Sequence, residues 1–396
     1  MKAWALFLCA AAMLGISGCA SQTVALQAPR QQLFHDQLFQ PPSTPVDTTN
    51  VFALSPAMRD YVRYEIGNPA AGKDVRRMLF DALYRRDKLQ LEYDSAITRN
   101  AAQTFEARAG NCLSLAIMTA ALARELNLPV QFQQIEVDEV WSRAGNLYFA
   151  SNHVNLSLGR PHTERNPYLA YSADTANALT VDFIPVPPKA RENARPLTET
   201  AIVAMFLNNR AAELLAAGKI DEAYWSVRKA TEVDPQFLNA YNTLGVIYQH
   251  HGNAAAAEQV LRYAHSQGPN NTIFLANLAM TLENNHQPEE AAVLRTRLAE
   301  LEPYPPFYFF HQGQEAMKLG DYARARKLFE RELERVPEYH EFHFWLAVAN
   351  YHLGNLRAAD SHMALAQKNS TTRGDHDLYA AKLDRIRAYE AQLRAK

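Results

Sequence analysis

Hydrophobic positions change their period several times along the chain. From Ala3 to Ile16 nearly every side chain is apolar, a run too short for a comfortable membrane span. Residues 19–54 are rich in Gln, Pro and Thr and keep no period, which predicts an extended tether. At Ser55-Pro56 a cap and a first helical position come together, and Met58, Val62 and Ile66 follow at helical spacing. Further amphipathic stretches run from Asp74 to Leu91 and from about Asp94 to Ala107. Residues 112–127 read as a buried helix that Pro129 stops. Alternation from Leu147 to Leu158, and again from Leu179 to Ile184, predicts strands. Beyond residue 198 the pattern is helical to the end.

That last region repeats. Pro235, Pro269, Pro303 and Pro337 are spaced by 34 residues, as are Ala223, Ala257, Ala291, Ala325 and Ala359. Gly218, Gly252, Gly320 and Gly354 keep the phase, with His286 in the remaining slot. The fullest copy carries Tyr241, Leu244, Gly245, Tyr248, Ala257, Leu261, Ala264 and Pro269. It resembles the tetratricopeptide repeat, whose period is the same. The resemblance implies five helix pairs over 198–371 that share one core, closed by a capping helix over 372–396. It also implies that certain first-helix positions line a groove. Here those positions include Asn208, Asn239, Asn242, Gln249, Phe310, Gln314, Phe344 and Tyr351, amide and aromatic groups suited to an extended peptide or a neighbouring protein. Pro306 is expected in the first turn of the fourth repeat.

The amino terminus sets the address. Lys2, the apolar run and Ile16-Ser17-Gly18-Cys19 resemble a leader ending in the lipobox of bacterial lipoproteins. The resemblance implies a signal peptide over 1–18, lipidation of Cys19, and a tether over 19–54. Ala20 after the cysteine implies the outer membrane, facing the periplasm. With Cys9 lost in the leader and Cys19 acylated, Cys112 is the thiol left over. It is either a small buried hydrophobe or a nucleophile. Overall charge is balanced, 40 Lys+Arg against 42 Asp+Glu. This argues against a broadly basic nucleic-acid surface. The 48% hydrophobic content excludes disorder over the whole length.

Cys112 follows Gly110-Asn111, a turn and a cap-competent asparagine, so it falls at a helix N-terminus. Free N–H groups there favour an anion, and they can also hold an oxyanion in acyl transfer. His153 shares its strand face with Asn155 and Ser157, opposite Val154, Leu156 and Leu158. Asp182 faces away from Val181 and Phe183 on the next strand-like segment. Adjacent strands would bring the carboxylate to the imidazole. Gln103 is a candidate second oxyanion donor.

Thr104-Phe105, Arg108, Gly110-Asn111-Cys112 and Ala116, with Asn152-His153-Val154 and Val181-Asp182-Phe183, resemble the transglutaminase-like superfamily. The resemblance implies a papain-like α+β domain over 55–190, a helix on an antiparallel sheet. It implies Cys112 as nucleophile, His153 as base and Asp182 as its orienting partner. The whole then reads as an α+β papain-like domain followed by an all-α repeat solenoid. Its expected function is that of a membrane-anchored thiol peptidase or amine acyltransferase acting on a protein or peptide. The alternative is a noncatalytic scaffold that recruits partners through the repeats. No cofactor and no metal are expected. His340-Glu341-Phe342-His343 is one residue short of H-E-x-x-H, and His250-His251 stands at a helix end.

Overall fold

The computed structural model describes residues 30–66, 74–85, 88–95, 97–144, 147–159, 178–183 and 194–394. The leader and Cys19 lie outside the described residues. No helix among the described residues is long and apolar enough to cross a membrane.

The first helix, α1 (Pro56–Tyr61), is capped by Ser55, whose Oγ accepts from the Met58 amide at 3.2 Å. It runs on through a wide turn over Val62–Ile66. Helix α2 (Val75–Tyr84) starts at Asp74, which accepts from the Arg76 amide. The helix expected from Asp94 begins later, at α3 (Ala101–Ala107). Asn100 and Gln103 form a reciprocal capping box there. Upstream, Glu92–Tyr93 (β1) pairs in parallel with Ala109–Gly110 (β2). Helix α4 (Cys112–Glu125) is buried on all sides over Cys112–Ala123.

Among the described residues four strands form an antiparallel sheet: β3 (Val130–Ala144), β4 (Leu147–Leu158), β5 (Leu179–Val181) and β6 (Arg195–Leu197), in the order β5-β4-β3-β6. Leu156 stands opposite Val181 and Phe132 opposite Leu156. Leu113, Ala116, Ile117 and Ala120 of α4 share a core with Phe132, Val154 and Leu156. Each fully buried large aliphatic contributes about 1.5–3 kcal/mol.

From Glu199 the chain forms five antiparallel helix pairs: α5 (Glu199–Ala216) with α6 (Ile220–Val233), α7 (Leu238–His250) with α8 (Ala254–Gln267), α9 (Thr272–Asn284) with α10 (Pro288–Leu301), α11 (Tyr308–Lys318) with α12 (Tyr322–Arg335), and α13 (His340–His352) with α14 (Leu356–Lys368). A last helix, α15 (Arg373–Arg394), buries Tyr379, Leu383 and Ile386 against the fifth pair. The periodic alanines are all buried. A Cβ at Gly245 would stand 2.5 Å from Leu261, so only glycine fits this helix contact.

Two expectations need correction. Pro306 precedes the fourth pair rather than lying in its first turn: Phe307 takes a left-handed backbone, φ 63°, and α11 starts at Tyr308. Residues 30–40 are not a free tether either. They dock against the first two helix pairs, burying Leu33 and Phe39.

Candidate functional site

The thiol is placed by a local network. Asn111 Oδ1 accepts from both the amide and the hydroxyl of Ser114, each at 2.9 Å. Its Nδ2 donates to Thr98 Oγ1 at 2.9 Å, and Ser114 Oγ accepts from the Arg99 amide. Gly110 is required before this cap, because a Cβ would lie 2.8 Å from that of Ser114. Cys112 is thereby fixed as the first residue of α4, with 8% of its surface exposed. The first N–H groups of a helix have no intrahelical acceptor, so donors point outward beside the sulfur.

The sheet supplies the other two groups. Pairing of Leu156 with Val181 sets Asp182 next to Asn155 and diagonally across from His153. His153 Nε2 lies 3.3 Å from Asp182 Oδ1, and Asn155 Nδ2 donates to the same oxygen. Tyr84 donates its hydroxyl to the Asp182 carbonyl at 2.7 Å. His153, Asn155 and Ser157 are buried like the apolar face behind them. The His153 ring lies between Asp182 and Cys112, and both act on it by hydrogen bonding and by charge. Burial pushes the imidazole pKa down. Asp182 and the Cys112 thiol outweigh it and raise the value to about 9.

Three residues beside the triad escaped the sequence reading. Tyr93 is half-buried near the sulfur, and desolvation, then the proximity of Cys112 and Asp94, hold its phenol protonated. Asn155 steadies the carboxylate and Tyr84 its backbone. For Asn155 a signal existed: strand alternation already put it on the His153 face. Gln103 is not an oxyanion donor. It is exposed, and its side chain is turned to the α3 cap, where Oε1 accepts from the Asn100 amide. No group of three or more metal-ligating side chains occurs among the described residues.

The expected groove residues divide. Asn242 accepts from Asn277 Nδ2 at 2.9 Å, and Gln249 donates to Thr281, so these amides pair between α7 and α9. Asn208, Asn239 and Gln314 are half-buried, and Asn208 Oδ1 is a buried atom without a hydrogen bond. Phe344 stacks on Tyr379 of α15 at 5.2 Å, while Tyr351 meets Tyr389 at 5.8 Å and stays exposed. Phe310 is no groove residue. It is fully buried, its ring packed against those of Phe329, Phe342 and Trp345.

Residues 208–272 and 310–370 match the tetratricopeptide repeat family model. The chain is similar to the TPR repeat-containing protein YvcD of Bacillus subtilis (strain 168), 25% identical over 154 residues, which are 39% of this chain and 32% of that protein. It thus spans about a third of the length of that relative. Among solved structures, PilF of Pseudomonas aeruginosa is 18% identical, with 49% of this chain and 100% of that chain covered and a TM-score of 0.28. A thermophilic TPR protein of Thermus thermophilus is also 18% identical, with 46% and 98% covered and a TM-score of 0.30. The carboxyl-terminal part of the chain is a tetratricopeptide-repeat solenoid.

Proposed function

We propose that the chain is a thiol-dependent acyl-transfer enzyme of the transglutaminase-like type, joined to a repeat solenoid that binds a protein or peptide. The observation that carries this reading is the convergence of Cys112, His153 and Asp182 from a helix start and two adjacent strands. In the first step Cys112 Sγ, its proton already held on Nδ1 of the charged His153 ring, attacks a substrate carbonyl carbon. The forming oxyanion meets the free N–H groups at the start of α4. As the C–N bond breaks, the imidazolium returns that proton to the leaving amine, and an acyl-thioester remains on Cys112. Water or a second amine then takes the acyl group. Throughout, Asp182 holds the Nε2 proton and the ring orientation. The lipobox-like segment at Cys19 supports attachment to the outer membrane through lipid, with the domains facing the periplasm.

A scaffold reading draws on one feature, the burial of the site: Cys112 is 8% and His153 1% exposed. There the first domain only binds, and the repeats recruit partners. An electrophilic thiol probe separates the two. The enzyme reading expects labelling of wild type, loss in Cys112→Ala and strong loss in His153→Ala. An unlabelled but folded wild type supports the scaffold. Detergent partition of the mature chain, with fatty acid on Cys19, checks the anchor, and recovery as a water-soluble, unlipidated protein overturns it.

A further inference from the structure

Residues 33–40 touch the solenoid in a way that ordinary packing does not require. Their main chain is read at both ends. Tyr248 OH accepts from the His35 amide and donates to the Leu33 carbonyl, both at 3.0 Å. Asp221 Oδ1 accepts from the Gln40 amide at 3.0 Å, and Trp225 Nε1 donates to the Gln40 carbonyl at 2.6 Å. Between these ends the side chains are read too. Phe39 stacks on Tyr224 with ring centroids 3.8 Å apart and planes 6° from parallel. Tyr224 OH donates to Asp36, Arg228 pairs with Asp36 at 3.4 Å, and the same guanidinium lies 4.1 Å over the Phe34 ring. The segment has only two short 3-10 turns of its own. Main-chain hydrogen bonds combined with pockets for spaced side chains are how peptide grooves recognise extended ligands.

We infer that the surface formed by α6 and the Tyr248 hydroxyl of α7 is a linear-motif binding site whose resident ligand is residues 33–40 of the same chain. The motif has two apolar anchors, Leu33 and Phe39, flanking an aspartate. Occupied in cis, the site straps the amino-terminal segment to the first two repeats and is closed to other segments of that chemistry. This inference is independent of the thiol chemistry.

The test uses the full chain with a protease recognition sequence placed at Ser43–Thr44, in an exposed stretch, and cut after folding. The probe is a synthetic peptide of residues 30–40, with Trp225 emission as the readout. The cut chain, freed of its amino-terminal fragment, should bind the peptide saturably, and the uncut chain should not. A peptide with Asp36→Ala should bind about tenfold weaker or worse, since a charge-assisted contact is lost. A second variant, Phe39→Ala in the uncut chain, should open the site to the peptide. The inference is overturned if the cut chain keeps its circular dichroism yet ignores the peptide. Equal binding by uncut wild type, or by the Asp36→Ala peptide, also overturns it.

Discussion

His153 is a fully buried imidazole whose neighbours keep it charged. Its pKa stands at about 9, against an ordinary 6.5. The proton is therefore bound more tightly in the folded state. That stabilisation is complete below pH 6.5 and is lost as pH rises through 9, by at most about 3 kcal/mol. Denaturant unfolding at pH 6.5 and 9.5 should show this fall in wild type and a much smaller one in His153→Gln. His286 offers a second test at this scale. It occupies a left-handed turn, φ 60°, that glycine holds in the other repeats. His286→Gly should raise stability by about 1 kcal/mol, read as a higher Tm. Both positions were legible in the sequence, one by strand alternation and the other by the repeat phase. Tyr93 was not, because a two-residue strand leaves no periodic trace and its position depends on pairing with Gly110.

Among the helices, α11 departs most from the repeat pattern, and its start has a physical cause. Glu332, on α12 and 1% exposed, accepts from the Phe309 and Phe310 amides at 2.8 and 3.2 Å and pairs with Arg335 at 3.0 Å. It satisfies the free amides of the new helix from outside, so no capping side chain is needed at Phe307. A cap borrowed from the neighbouring helix has no local signature in the sequence. Glu332→Ala strands two buried amides and removes one of the partners of Arg335. It should cost about 3 kcal/mol in chemical denaturation, and an unchanged midpoint would refute the cap. The close helix contact at Gly245 was legible in the fullest repeat copy, and Gly313 repeats it: a Cβ at either would stand 2.5 Å from Leu261 or Phe329.

For the molecule as a whole, the residues next to the thiol also touch both ends of the solenoid. Thr98 N donates to Glu213 of α5 at 2.7 Å, and Ser95 N donates to Thr371 O at 3.1 Å, just before α15. Asp94, in the same stretch, bonds through its amide to the Gly110 carbonyl. One hydrophobic core also runs from Leu79 and Phe132 through the first repeats to Ala291. Neither link could be read from a chain that looks like two domains in series, because both pair residues far apart in sequence. They predict a single unfolding transition, with tryptophan emission and Cys112 exposure changing at the same denaturant concentration; separate midpoints would show that the halves unfold independently. The central claim remains the thiol site, and the rate of Cys112 alkylation by iodoacetamide near pH 7, followed by mass spectrometry of its peptide, tests it most directly. An imidazolium beside the sulfur favours its nucleophilic form. Folded wild type should therefore react faster than the denatured chain, and His153→Ala should lose that advantage. A folded wild type that reacts more slowly than the denatured chain, at a rate His153→Ala leaves unchanged, would contradict it.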